Sequence, residues 1–290
     1  MPDRRPLPHW RIGIIGGGQL ARMMVPAATR LGCTCTVLDP TPDAPAAQIL
    51  SDRQIVADFH DGAALAELAS ACDVLTYDLE NIDAGTLQEL ADAGHAIYPA
   101  PRLLAIVQDK LTQKELYRDA GIPTADFVRV DAPTPETFAD FGYPLVQKAR
   151  RGGYDGRGVA ILRSPDDFAT HLPVSSLIER FVPARKEIAV LVARGHDGAT
   201  ACYPCVEMDV HPEANLLDML LAPADLPLAI EEEARRVAIS VAQALDGVGI
   251  FGVEMFWTED DRILVNEVAP RTHNSGHHTI EACATDQFEQ

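Results

Sequence analysis

The 290-residue chain is short of positive charge: 43 aspartates and glutamates stand against 24 lysines and arginines, a formal net charge of −19. Nucleic acid and anionic membranes are recognised through basic surface, so this balance argues against both as partners. Any phosphate-bearing ligand must therefore be held by local positive groups. Lysine is the scarcest of these, present only as Lys110, Lys114, Lys148 and Lys186. No apolar run approaches the roughly 18 residues of a membrane span, and the N-terminal Met1-Pro-Asp-Arg-Arg-Pro-Leu-Pro lacks the apolar core of a signal peptide, which together predict a cytoplasmic protein. Cysteine motifs are sparse too. Cys202-Tyr-Pro-Cys205 has no second pair, so buried thiols explain it more simply than zinc or redox chemistry. What remains is an ordinary globular composition, 47% hydrophobic, long enough for two domains or for one domain with a mobile lobe.

Apolar periodicity predicts strands over 11–15, 34–38, 74–77 and 95–98, alternating with helices over 19–31, 61–71 and 84–93. That alternation is a parallel α/β domain ending near residue 105. Its first turn, Gly16-Gly-Gly18 with Ala21 and with Asp39 closing the second strand, matches the dinucleotide fingerprint and by itself suggests an NAD-linked oxidoreductase. A single helix is expected over 101–121, broken by Gly121-Ile-Pro-Thr124. Beyond it, strands are expected over 144–148, 159–162, 177–181, 187–192 and 203–210, and a helix over 228–245. Residues 131–135 and 223–227 read as loops, and no internal repeat is present.

Two apolar runs near the C-terminus carry the chemistry. Gly252-Val-Glu-Met-Phe-Trp257 and Arg262-Ile-Leu-Val-Asn-Glu267 are joined by Thr258-Glu-Asp-Asp261, and a hairpin with Asp260-Asp261 at its tip sets Glu254 opposite Glu267. Their Cβ atoms are then roughly 4.5–5.5 Å apart, which is unfavourable for two carboxylates unless a cation lies between them or one is protonated. Few oxygen ligands, with room for phosphates, suit Mg²⁺; two solvated glutamates on an ordinary hairpin are the plain alternative. A second feature is glycine-rich: Arg151-Gly-Gly-Tyr-Asp-Gly-Arg-Gly158 leaves the strand that ends in Lys148. Backbone N–H groups in such a flap can close over phosphates above a lysine. A plain glycine turn accounts for the glycines but not for Lys148, Arg150, Arg151 and Arg157 around them in so acidic a chain. The third feature is the loop holding Arg271, His273, Asn274 and Ser275, directly after the candidate metal ligands.

Taken together, the flap after Lys148, Glu254 with Asn266-Glu267, and Ala269-Pro-Arg-Thr-His-Asn-Ser-Gly-His277 resemble the N5-carboxyaminoimidazole ribonucleotide synthetases, ATP-grasp enzymes of bacterial and fungal purine biosynthesis. The resemblance runs from Ile12 to Glu289. It implies an α/β fold of the α+β ATP-grasp kind: an N-terminal parallel α/β (Rossmann-like) domain over 1–105, then an ATP-grasp domain over 106–290 with a small lobe over 122–182 and a large lobe over 183–290. It implies ATP and Mg²⁺ as cofactors, bicarbonate and 5-aminoimidazole ribonucleotide as substrates, and a homodimer. By similarity, Lys110 and Lys148 contact the ATP phosphates beneath the flap residues Gly153, Tyr154, Asp155, Gly156, Arg157 and Gly158. Glu179, Arg180, Phe181 and Val182 line the adenine, Glu187 holds the ribose, and His211 lies near the nucleotide. Glu254 and Glu267 bridge Mg²⁺ beside Asn266. Arg271, His273, Asn274 and Ser275 orient carboxyphosphate and the imidazole substrate, joined by Tyr154, Asp155, Tyr77, Glu80 and the turn Gly18-Gln19-Leu20.

Departures from the family pattern are Ala21, Asp78 and Thr272, where glycine, glutamate and proline are common, and an end at Gln290 expected to fall inside a helix, ahead of the family's C-terminal subdomain. The remaining alternatives are another ATP-grasp ligase, an inactive nucleotide-binding fragment, and the oxidoreductase suggested by Gly16 to Asp39.

Overall fold

The computed structural model describes residues 9–50, 53–153, 158–210 and 217–290. The N-terminal part is built from β1 (Arg11–Ile15), α1 (Gln19–Arg30), β2 (Thr34–Leu38), β3 (Gln54–Ile55), α2 (Gly62–Ala71), β4 (Val74–Tyr77) and α3 (Ala84–Asp92). Its strands form one parallel sheet in the order β3-β2-β1-β4. Successive side chains of a strand face opposite sides, so Ile14 and Val37 bury against α1 while Ile15 and Leu38 bury against α2. The expected strand over 95–98 reduces to a single bridge, Ile97 opposite Leu75. Pro99 follows at once and has no N–H with which to extend a ladder.

Instead of one helix over 101–121 there are two, α4 (Pro101–Val107) and α5 (Lys110–Asp119). Asp109 causes the break. Its backbone is extended, and its carboxylate accepts from Leu111 N–H to cap α5 while pairing with the Arg150 guanidinium. Lys110 thereby becomes the first residue of a helix aimed at the cleft.

Two antiparallel sheets follow. The smaller contains β5 (Phe127–Val130), β6 (Leu145–Ala149), β7 (Val159–Leu162) and β8 (Ser176–Arg180) in the order β5-β8-β6-β7, with α6 (Pro135–Phe141) beside it. The sequence reading passed over β5 and α6, although Thr134 caps α6 through Thr137 N–H and Pro135 opens it. The larger sheet contains β9 (Ala184–Arg194), β10 (Thr200–Cys202), β11 (Val206–Val210) and β12 (Leu217–Leu221), the long helix α7 (Leu228–Leu245), then β13 (Gly249–Thr258) and β14 (Ile263–Ala269). Its order is β12-β11-β9-β13-β14, with β10 also on β9. Helix α7 buries Ala234, Val237, Ala238, Val241, Ala242 and Leu245, a 3/4-spaced stripe, on the face formed by Ile188, Val190, Phe251, Val253, Met255, Val265 and Val268. At roughly 1.5–3 kcal/mol for each large apolar side chain removed from water, that stripe is what fixes the sheet in place. The opposite face buries Ala189, Leu191, Val206 and Met208 and also carries the polar Asn266 and Glu267. The chain ends in one hydrogen-bonded turn, Gln290 N–H to Asp286 O, rather than in the expected helix.

Candidate active site

Glu254 and Glu267 do stand opposite each other, but not for the reason the sequence suggested. The hairpin closes on a three-residue loop, 259–261, with Asp261 left-handed at φ 60° and Thr258 N–H bonded to Arg262 O. From Trp257 to Met255 the partners are therefore one residue out of the expected register, and a β-bulge at Asn266 restores it at Glu254. The bulge also reverses the alternation of β14. Ile263, Val265 and Val268 all reach the core beneath α7, so the consecutive residues Asn266 and Glu267 can both face the cleft.

Three of the four lysines converge there. Lys110 Nζ lies 2.6 Å from Glu267 Oε2, and Lys148 Nζ, on β6, donates to Asn266 Oδ1 at 2.9 Å. Lys148 also lies 3.0 Å from Glu179 Oε2, whose other oxygen is 3.2 Å from Lys114 Nζ. Lys110 holds the Glu267 carboxyl down at about 2, helped by Lys148 and against the effect of burial. Glu267 in turn raises Lys110. The side chain of Glu267 is nonetheless 41% exposed, open to the cleft. Glu187, on the same sheet face, is raised by burial and by Glu254. Burial is the largest influence on Glu179 and works upward, yet Lys148 and Lys114 bring it below its ordinary value. Burial lowers Lys114 to about 8.

The loop after β14 completes one wall. His273 Nδ1 accepts from Ser275 N–H and lies 2.8 Å from Ser275 Oγ, which leaves Nε2–H directed at Glu254 Oε1, 3.2 Å away. The ring packs on bare backbone of β13: a Cβ at Gly252 would come within 2.7 Å of His273 Cβ and Cγ. Arg271 Nε meets Glu80 Oε1 at 2.8 Å, joining this loop to the N-terminal domain. Nearby, the Tyr77 hydroxyl is buried without a hydrogen-bond partner among the described residues, and burial raises its pKa.

Other expected residues fall differently. Asn274 is exposed, Leu20 is buried in the core under α1, and Gln19 is exposed beside Gly18. The Arg180 guanidinium turns away onto Phe141 O and the Phe141 ring, so only its backbone faces Glu179 and Phe181. Phe181 and Val182 are half-buried between β8 and β9, and Gly158 lies against Gly153, whose Cα a Cβ at Gly158 would meet at 3.3 Å. Tyr154, Asp155, Gly156, Arg157 and His211 lie outside the described residues. Sequence reasoning missed Lys114, one helical turn beyond Lys110 and itself one of only four lysines, and Asp109, which joins Lys110 to Arg150. The glycine turn is already occupied. Asp39 accepts from Gly17 N–H, and Asp78 from Gly18 and Ala21 N–H, so the amides a dinucleotide pyrophosphate needs are taken by carboxylates.

Two antiparallel sheets with lysines and paired glutamates between them, set behind a parallel α/β domain, define an ATP-grasp protein. The ATP-grasp domain family model matches residues 115–288, and the ribonucleotide synthetase preATP-grasp domain model matches residues 10–108. The chain belongs to the N5-carboxyaminoimidazole ribonucleotide synthase family. It is 40% identical to the Synechococcus elongatus synthase of that name, over 98% of this chain and 72% of that protein. With the Schizosaccharomyces pombe phosphoribosylaminoimidazole carboxylase it shares 41% identity, over 96% of this chain and 51% of that one. The chain thus spans about half the length of the yeast relative and about three quarters of the cyanobacterial one. Among solved structures, the Thermotoga maritima synthetase superposes with a TM-score of 0.89 at 47% identity, covering 97% of this chain and 74% of that one. The Aspergillus clavatus enzyme in complex with ADP and 5-aminoimidazole ribonucleotide gives 0.90 at 36%, covering 97% and 75%.

Proposed function

We propose that this chain couples ATP hydrolysis to the carboxylation of 5-aminoimidazole ribonucleotide on its exocyclic amine, with bicarbonate as the carbon source. The observation that carries this reading is the convergence of Lys110, Lys148, Asn266 and Glu267 with the Arg271–His273 loop on one sheet face. A bicarbonate oxygen attacks the γ-phosphorus, the bond to ADP breaks, and the mixed anhydride carboxyphosphate forms. The amine nitrogen then takes the carboxyl carbon, the bond from that carbon to the phosphate oxygen breaks, and inorganic phosphate leaves with the proton the amine gives up. Bicarbonate is a poor electrophile, so activation must come first, and the protein's part is positioning and charge stabilisation.

Lys110 and Lys148 bind the phosphates, and the flap from Gly153 through Tyr154, Asp155, Gly156 and Arg157 to Gly158 excludes water from the labile anhydride. Phe181, Val182 and the backbone of Glu179 and Arg180 line the base, and Glu187 the ribose, with His211 nearby. Glu254 and Glu267, a hard oxygen set facing a cleft, fit Mg²⁺, which supplies charge neutralisation for the transferred phosphoryl group. Arg271, His273, Asn274 and Ser275 orient carboxyphosphate and the amine. The orphaned Tyr77 hydroxyl, beside Glu80 and Arg271, favours a polar ligand over water-free packing. A homodimer and a cytoplasmic setting accompany this reading through the resemblance alone.

The test is Mg²⁺-dependent ADP release with bicarbonate, with and without the ribonucleotide, for the wild type and Glu267→Gln. Ribonucleotide stimulation, lost on the order of 10²-fold or more in the variant, is expected from loss of a charge facing the phosphates. ATP turnover indifferent to the ribonucleotide overturns the substrate assignment, and absence of ATP binding overturns the whole reading.

A further inference from the structure

The last turn of the chain meets the active-site loop at two side chains: the Phe288 ring stacks on His277 with centroids 6.2 Å apart, and Gln287 reaches His273. Gln287 is 1% exposed. Its Oε1 accepts from His273 N–H at 2.9 Å, and its Nε2 donates to His273 O at 2.8 Å, so one carboxamide satisfies both backbone groups of the histidine as a neighbouring strand would. The amide is itself held: Gln287 N–H donates to Thr279 Oγ1 at 3.0 Å, and that hydroxyl donates to Gly276 O at 2.6 Å. Around it the turn is tied down on two sides. Arg30 of α1 pairs with Asp286 at 2.5 Å, Tyr203 Oη donates to Thr285 O at 2.9 Å, and Phe288 packs on the α1 core.

We propose that Gln287 is a positioning residue for His273, setting the backbone from which the imidazole holds Nε2 toward Glu254 and Nδ1 toward Ser275. The proposal rests on the reaction proposed above only for its kinetic readout. Packing on Gly252 and the contacts to Ser275 and Glu254 hold the ring, and the Gly276 N–H also donates to His273 O at 2.9 Å; among the described residues Gln287 is the side chain that bonds the backbone N–H and C=O of His273, and its Oε1 is the partner of that N–H. A displacement of about 1 Å at such a group costs on the order of 10²-fold in rate.

Gln287→Met keeps the length and removes both hydrogen bonds; Gln287→Glu keeps the acceptor alone and serves if the methionine variant does not fold. Expected for either is a fall in kcat of ribonucleotide-stimulated ADP release of roughly 10–100-fold, with the KM for ATP unchanged. In a His273→Ala background the same change is expected to add less than about twofold, because residues that act through one another are non-additive. Additive losses, or an unchanged kcat in a folded variant, overturn the proposal. A second readout needs no turnover: ¹⁵N spectra of the histidine rings are expected to show His273 as the Nε2–H tautomer in the wild type and as a mixture in the variant. If the wild type is not stimulated by the ribonucleotide, the reaction reading falls, and the ring spectra still decide the role of Gln287: identical spectra refute it.

Discussion

Glu179→Gln isolates the energetics of the lysine cluster. Glu179 and Lys114 are each 3% exposed, and the single carboxylate serves Lys114 at 3.2 Å and Lys148 at 3.0 Å. Breaking a buried ion pair by neutralising one partner leaves an uncompensated charge and costs about 3–5 kcal/mol. The effect depends on pH in a defined direction. Lys114 has a folded pKa of about 8, brought down by burial and partly restored by Glu179, against about 10.4 in an unfolded chain. Its ammonium therefore weakens the fold below pH 8, and the penalty fades as pH rises from 8 toward 10.4. Without Glu179 the lysine is costlier still while charged and its folded pKa falls further below 8, so the gap between wild type and variant is wider at pH 7 than above pH 8 and narrows as pH climbs to 8. Denaturant unfolding at pH 7 and pH 9.5 measures both quantities, and ADP titration reports the loss of Lys148 anchoring. A variant within about 1 kcal/mol of wild type at pH 7, or a gap that does not narrow by pH 9.5, refutes the reasoning.

Three other substitutions probe separate parts of the site. Gly252→Ala drives a methyl into the His273 ring and is expected to cut kcat on the order of 10²-fold while ADP affinity stays within about twofold, measured by calorimetry alongside turnover. Asp109→Asn removes the charge that Arg150 grips at 2.6 Å, beside the hydrogen bond from Lys110 N–H to Arg150 O; ADP binding should weaken by about tenfold, and undiminished affinity would count against that linkage. Asp78, raised to about 6 chiefly by burial despite the amides of Ala21 and Gly18, binds its proton more tightly folded than unfolded. It therefore stabilises below pH 4, and that contribution is lost as pH rises to 6. Asp78→Asn should remove up to about 3 kcal/mol of that slope in unfolding experiments across the same window, and an unchanged slope would show that the shift is absent.

Most of the framework was legible because its signals are local. The helix Leu228–Leu245 has a 3/4-spaced apolar stripe and ends where the chain turns left-handed at Asp246, so its bounds follow from composition. The βαβ alternation from Arg11 to Tyr77 is equally plain, as is the strand Leu145–Ala149 that carries Lys148. Short edge elements were not legible. Gln54–Ile55 and Thr200–Cys202 carry too few residues for a period to show, and they are strands only because a neighbour offers a ladder.

The site divides in the same way. The sequence alone determined which residue types are gathered: few lysines, two glutamates on paired apolar runs, and an arginine-histidine loop between them and the end of the chain. Whether the Gly16–Gly18 turn receives a phosphate depended on Asp39 and Asp78, which come from other strands and cap it from within. Whether Asn266 and Glu267 face one way depended on a bulge that offsets a three-residue loop. Only the tertiary structure decided these points, because hydrogen-bond competition and strand register are settled between segments distant in the chain, where periodicity within one segment has nothing to say.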